Sequence, residues 1–386
     1  MRRATFVLVS IGWLTACGRL GFDATGTSAG PPDDAAPIDV ARAPDAPFSS
    51  GALTCGGSSM IAPLLDAPVG IGLVTTATGA LVVWTTAIGN TVRTTLFGLQ
   101  LVITGDQIAS STSVSAFLTE RFTDFGFVGD GARRFLLSAT TAGGAMYQAL
   151  DAGLQPIGSS VRSGATISSH GVAEPIAPGG PFVAGWVEGG DVLVAEIDDA
   201  GNPAGPIVRR PSAVDVAVRQ AVRRDVIAWT TPDATGCGVW AFDDGFAPLL
   251  PDPLIHMPAG PCEKSAITRH EAGTNLLMWI AGGAAFGQLG TDTDVVGAQL
   301  SLGRTADDLE LVVAPTGFFY AIASSETVQL GHVTVDGSRV TALGAVPHLP
   351  GSAIRLVAYP GGALLLGAGT FASVPVLSLT RLCDPG

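Results

Sequence analysis

Five histidines, two small acidic sets and five cysteines are the side chains of this 386-residue chain with chemistry to offer. His170, His256, His270, His332 and His348 fall in separate stretches, with no HExxH spacing or close pair of the kind a metal site needs. Each reads as a structural or surface histidine. Asp292 with Asp294, and Asp307 with Asp308 and Glu310, could offer calcium several hard oxygens, but hairpin turns and solvated faces use such residues more often. Neither set is assigned as a metal site, and no cofactor is expected. No GxSxG elbow marks a nucleophile, and no glycine-rich phosphate loop is present. Trp84, Trp186, Trp229 and Trp279 would suit a sugar-stacking stripe, yet each lies inside an apolar run, which makes them core residues.

Cys17 is the exception. Arg2 and Arg3 form a positive segment, Phe6 to Trp13 an apolar one, and Leu14-Thr15-Ala16-Cys17 resembles the lipobox of bacterial lipoproteins, whose thiol is diacylated before cleavage. The apolar stretch is too short to span a bilayer, which takes about 20 residues. The resemblance implies a signal peptide over 1–16, a mature chain beginning at lipidated Cys17, and a place in the cell envelope. Gly18 rather than Asp after the cysteine points, by analogy with the enterobacterial sorting rule, to the outer membrane.

The formal charge of −13 excludes nucleic acid as a partner, since binding it requires a basic surface. Residues 17–51 interleave Asp23, Asp33, Asp34, Asp39 and Asp45 with prolines and alanines. Such a stretch has too little apolar surface to offset the entropy of ordering it, and reads as a disordered tether.

From residue 52 to 386 the chain becomes short apolar runs punctuated by turn residues. The 51 glycines and 26 prolines suit turns and disfavour long helices, which predicts an all-β domain. A unit recurs, each with a buried run, a small turn and a second run. The centres are Trp84, Ala139, Trp186, Trp229, Trp279, Ala321 and Gly367, spaced 42 to 55 residues apart. That spacing fits four-stranded propeller blades. The unit from Phe182-Val183-Ala184-Gly185-Trp186 through Val192-Leu193-Val194-Ala195-Glu196-Ile197 resembles the degenerate repeats of secreted bacterial β-propellers. The resemblance implies a β-propeller of about seven four-stranded blades. The last unit has only three strands of its own, so the expected fourth is Ala52 to Cys55, closing the ring with strands from both termini and removing exposed edges.

Cys55 and Cys383 lie at the ends of that proposed strand pair, and Cys237 and Cys262 lie in one blade and its exit loop. In an exported compartment these four are expected to pair as Cys55–Cys383 and Cys237–Cys262, with the two other connectivities formally open. A membrane β-barrel would need longer strands and aromatic girdles, whereas runs here are about five residues and aromatics 6%. Tandem sandwiches would use two units per domain, which fits an odd number poorly.

The expected function is therefore a cell-envelope lipoprotein, joined to the membrane by its lipid, whose non-catalytic propeller binds or scaffolds a protein or glycan. The alternative is a glycan hydrolase or lyase whose carboxylates converge at the channel from separate blades, a convergence that linear spacing cannot reveal.

Overall fold

A computed structural model describes residues 52–385 apart from 65–67, 69, 88–93, 119–123, 130–134, 142–143, 163–166, 174–179, 199–201, 206, 212–214, 222–223, 231–235, 244–245, 253, 257–260, 295–296 and 372. The expected signal peptide (1–16), the lipidation site Cys17 and the tether (17–51) lie outside the described residues.

Every regular element described is a β-strand, and every pairing between the named strands is antiparallel. Six sheets are each built from four consecutive strands: 70–118, 124–162, 167–211, 215–256, 264–303 and 308–347, here blades 1 to 6. A further sheet is composite. Ile354–Tyr359, Gly362–Phe371 and Val374–Cys383 supply three strands, and Ser58–Pro63 from the other end of the chain pairs with Val374–Cys383 as the fourth. The first strand of each blade lies against the first strand of the next, and Ile354–Tyr359 of the closing blade lies against Gly70–Thr76 of blade 1. The ring is thereby complete, in the arrangement of a β-propeller.

All seven repeat centres fall in the second strand of their sheets, such as Gly79–Ala87, Phe182–Glu188 and Asn275–Ala281. These strands are covered on both faces by neighbouring blades, so their sequences are continuously apolar rather than alternating. In blade 6, Gly317–Ala323 is buried at all seven positions, whereas the outermost strand Val340–Pro347 is buried at none. The core consists of blade-to-blade interfaces. One joins Leu364, Leu366, Leu377 and Leu379 of the closing blade to Ile71, Val82, Trp84 and Leu101 of blade 1. Burying each such side chain contributes about 1.5–3 kcal/mol.

The closing strand is displaced from its expected place. Ala52–Cys55 does not form it: Ala52 bridges Gln107 in blade 1, Leu53 is buried and donates its N–H to Asp106, and Cys55 bridges Arg381. Ser58–Pro63 takes the edge instead, because it has the alternation an edge strand needs, with Ser59 and Ile61 buried and Met60 exposed.

Candidate functional site at the channel mouth

The first residues of the innermost strands gather at one mouth of the ring, where a propeller brings distant parts of its chain together. Lys264 and Asp308, which begin the inner strands of blades 5 and 6, form an ion pair at 2.6 Å. Asp308 Oδ1 also accepts the N–H of Leu309 at 2.8 Å. Two residues further in, Glu310 is only 5% exposed, and its Oε1 accepts from Arg355 Nη1 at 3.1 Å. Arg355, the second residue of the closing blade's inner strand, also donates from Nη1 to its neighbour Ile354 (2.8 Å) and from Nη2 to the carbonyl of Phe125 in blade 2 (2.9 Å).

That last contact passes over blade 1. It is possible because blade 1 presents Gly70 and Gly72 to blade 2: a Cβ at either position would come within 2.5 or 2.6 Å of the Cβ of Phe125 or Phe127. The two inner strands approach more closely than any side chain would permit, which brings the Phe125 carbonyl within reach of Arg355. One guanidinium thus ties blade 6, the closing blade and blade 2 across the channel.

Glu310 Oε1 is thus engaged by a guanidinium that is itself bonded to carbonyls of the closing blade and blade 2. Three of the five acidic residues considered for calcium pair with cations. Asp308 is held by Lys264, Glu310 by Arg355, and Asp292 by Arg269 through a bidentate pair at 2.7 and 3.0 Å. Among the described residues no group of three His, Cys, Asp or Glu is placed to share a metal ion.

The histidines remain apart. His170 sits on the inner strand of blade 3 and His256 in the outer strand of blade 4. His270 meets the Pro315 carbonyl at 3.1 Å and accepts the N–H of Ala272. His348 enters the closing blade, donating its backbone N–H to Glu326, and burial lowers its pKa against the opposing pull of Asp308 and Asp307. His332 comes nearest to a catalytic constellation. Its Nε2 lies 3.2 Å from Thr316 Oγ1, and that hydroxyl donates to Asp384. The hydroxyl stands between imidazole and carboxylate, so its proton is directed to Asp384 and His332 is not placed to remove it. Burial lowers the His332 pKa, outweighing Asp384, with Arg339 lowering it further. The group latches the chain's end to blade 6.

Trp84, Trp186 and Trp279 are buried, as their runs indicate. Trp84 stacks on Phe97 and Trp279 on Phe286, each its cross-strand neighbour, and Trp186 meets Tyr147 of blade 2. Trp229 occupies the equivalent strand of blade 4. Trp240, on the third strand of blade 4, is also buried.

Both cysteine pairs are disulfides: Cys55–Cys383, with Cα atoms 5.4 Å apart, and Cys237–Cys262, at 5.7 Å. The first belongs to a larger clasp that the sequence did not suggest. Arg381 donates to Asp106 Oδ1 (2.7 Å) and to the Gly105 carbonyl (3.0 Å), lies over the Tyr359 ring, and exchanges backbone hydrogen bonds with Gly56 and Gly57. It fastens the closing blade to blade 1. The second disulfide joins the third strand of blade 4 to the segment entering blade 5.

No family model matches the sequence, and no curated protein matches it. Solved structures do. Hydrazine synthase of Kuenenia stuttgartiensis is 11% identical, covering 83% of this chain and 97% of that one, with a TM-score of 0.53. The structure of BBS1N in complex with ARL6DN is 13% identical over 85% and 97%, at 0.52. The β-propeller domain of Cps50 (Swd1) from Myceliophteria thermophila is 10% identical over 84% and 100%, at 0.51. At such identities the likeness is one of fold, and the fold is the all-β propeller.

Proposed function

We propose that this protein is a cell-envelope lipoprotein, held at the outer membrane by lipid on Cys17, whose propeller binds or scaffolds a protein or glycan without transforming it. The observation that carries the non-catalytic reading is the state of Glu310. Among the described residues it is the carboxylate that is buried, and Arg355 pairs with it while also donating to carbonyls of its own closing blade and of blade 2. The charge of −13 and the Asp/Pro-rich stretch between Cys17 and the fold support an exported, tethered domain with no nucleic-acid partner. Partner contacts then belong to the loops, which a rigid ring of blades positions. Envelope fractionation tests the anchoring half of the proposal. Capture of proteins and glycans by the immobilised full chain tests the binding half.

A further inference from the structure

We propose that the outer strand of blade 1, Gln107–Leu118, is a strand-addition site by which two copies of this chain pair edge to edge. It is the longest strand described, at 12 residues, and it is the outermost strand of its sheet, where among the described residues only Ala52, at Gln107, meets its outer side. From Ser110 to Leu118 it pairs with Thr94–Val102 without interruption, its one irregularity lying before Ser110. Those nine residues, Ser-Ser-Thr-Ser-Val-Ser-Ala-Phe-Leu, contain no charge, no proline and no glycine.

Every other outer strand carries something that blunts pairing, as sheet edges generally do. Val208–Pro211 has Arg209, Arg210 and a proline, and Leu254–His256 and Leu300–Gly303 are only three and four residues long. Pro156–Arg162, Val340–Pro347 and Ser58–Pro63 each contain a register shift and a proline.

The edge already takes a partner at its first residue, where Ala52 bridges Gln107 antiparallel and Leu53 donates to Asp106. A second copy is the occupant that charge favours. Two molecules of charge −13 repel over most of their surfaces, and an uncharged strip meeting the same strip is where they approach at least electrostatic cost. A two-fold axis through Val114 sets Ser110 opposite Leu118 and Thr112 opposite Ala116, so one register serves both copies. The proposal rests on the fold and is independent of lipidation.

The test uses the full chain carrying Cys17→Ser, so that lipid cannot cause association, in sedimentation equilibrium. A concentration-dependent dimer is expected, weakened at least tenfold by Val114→Lys and unchanged by Val340→Lys on the outer strand of blade 6. Val114→Cys, read separately, is expected to give a disulfide-linked dimer under mild oxidation, which decides the matter if the lysine variant fails to fold. A monomer at all concentrations, a dimer that only Val340→Lys breaks, or Val114→Cys that stays monomeric under oxidation would each overturn the proposal.

Discussion

Arg355 Nη2 donates to the carbonyl of Phe125, a residue 230 positions earlier and two blades away in the ring. The same side chain neutralises Glu310 in blade 6, so three parts of the ring share one cation. Removing it takes the Arg355 guanidinium away from a carboxylate that is only 5% exposed. Arg355→Leu is expected to cost about 3 kcal/mol, as breaking a buried pair from one side does. Adding Glu310→Gln to Arg355→Leu is expected to recover part of that loss. Urea unfolding of both variants checks this, and a loss below about 0.5 kcal/mol for the single change would place the pair among surface ion pairs.

The disulfides lead to a second expectation. Peptide mapping of the mature chain without reductant should find Cys55 joined to Cys383 and Cys237 to Cys262, with no free thiol. Replacing Cys237 and Cys262 by serine is expected to cost about 3.5 kcal/mol on the chain-entropy account of a 25-residue separation. Cross-paired peptides would contradict the clasp at Arg381 as well as the bonds.

Stability should fall on the acid side. Burial holds His332 and His348 below the ordinary histidine pKa, despite Asp384 near the first and Asp308 and Asp307 near the second. The unfolded chain therefore binds these protons more readily than the folded one. The contribution is fully present above about pH 6.5 and is lost as pH falls through the lowered values. Unfolding free energies measured from pH 8 to pH 5 should decline, and His332→Gln with His348→Gln should flatten the slope. An unchanged slope in the double variant would contradict this.

Tyr147 offers a test of a different kind. Its hydroxyl is buried with no hydrogen-bond partner among the described residues, and burial raises its pKa above the usual tyrosine value. Removing an unsatisfied buried hydroxyl without changing the ring's shape relieves a penalty of about 1–3 kcal/mol. Tyr147→Phe should keep or raise the melting temperature, whereas a clear drop would mean the hydroxyl has a partner.

Much of the fold was legible because the second strand of each blade is covered on both sides. Its demand for continuous apolar residues leaves runs such as Leu81 to Trp84 and Leu276 to Trp279 plain in the sequence. The closing strand was placed too early, at Ala52–Cys55, because an edge strand needs only a weak alternation, and Ser58–Pro63 offers no more than that. Cys55–Cys383 was legible from the expected meeting of N- and C-terminal strands, and Cys237–Cys262 from lying in one blade and its exit loop. The ties made by Arg355, Arg381 and Asp384 were not, since each depends on which blades become neighbours. The available hint was a lone charge inside an apolar inner strand, Arg355 in Ser-Ala-Ile-Arg-Leu-Val-Ala-Tyr.

Anchoring is checked by changing Cys17 alone. Cys17→Ser should move the protein from the membrane fraction to the soluble one and abolish incorporation of a fatty-acid probe. Labelling that persists in the variant would mean the lipid, if any, is carried elsewhere.

Binding without turnover is tested most directly by presenting the purified full chain with glycans and with hydrolase and lyase substrates in parallel, alongside Glu310→Gln. Saturable capture with no product, equal in both proteins once the variant is shown to be folded, is the expected result. Product formation by the native chain that disappears in folded Glu310→Gln would contradict it, because the carboxylate held by Arg355 would then be the one that reacts.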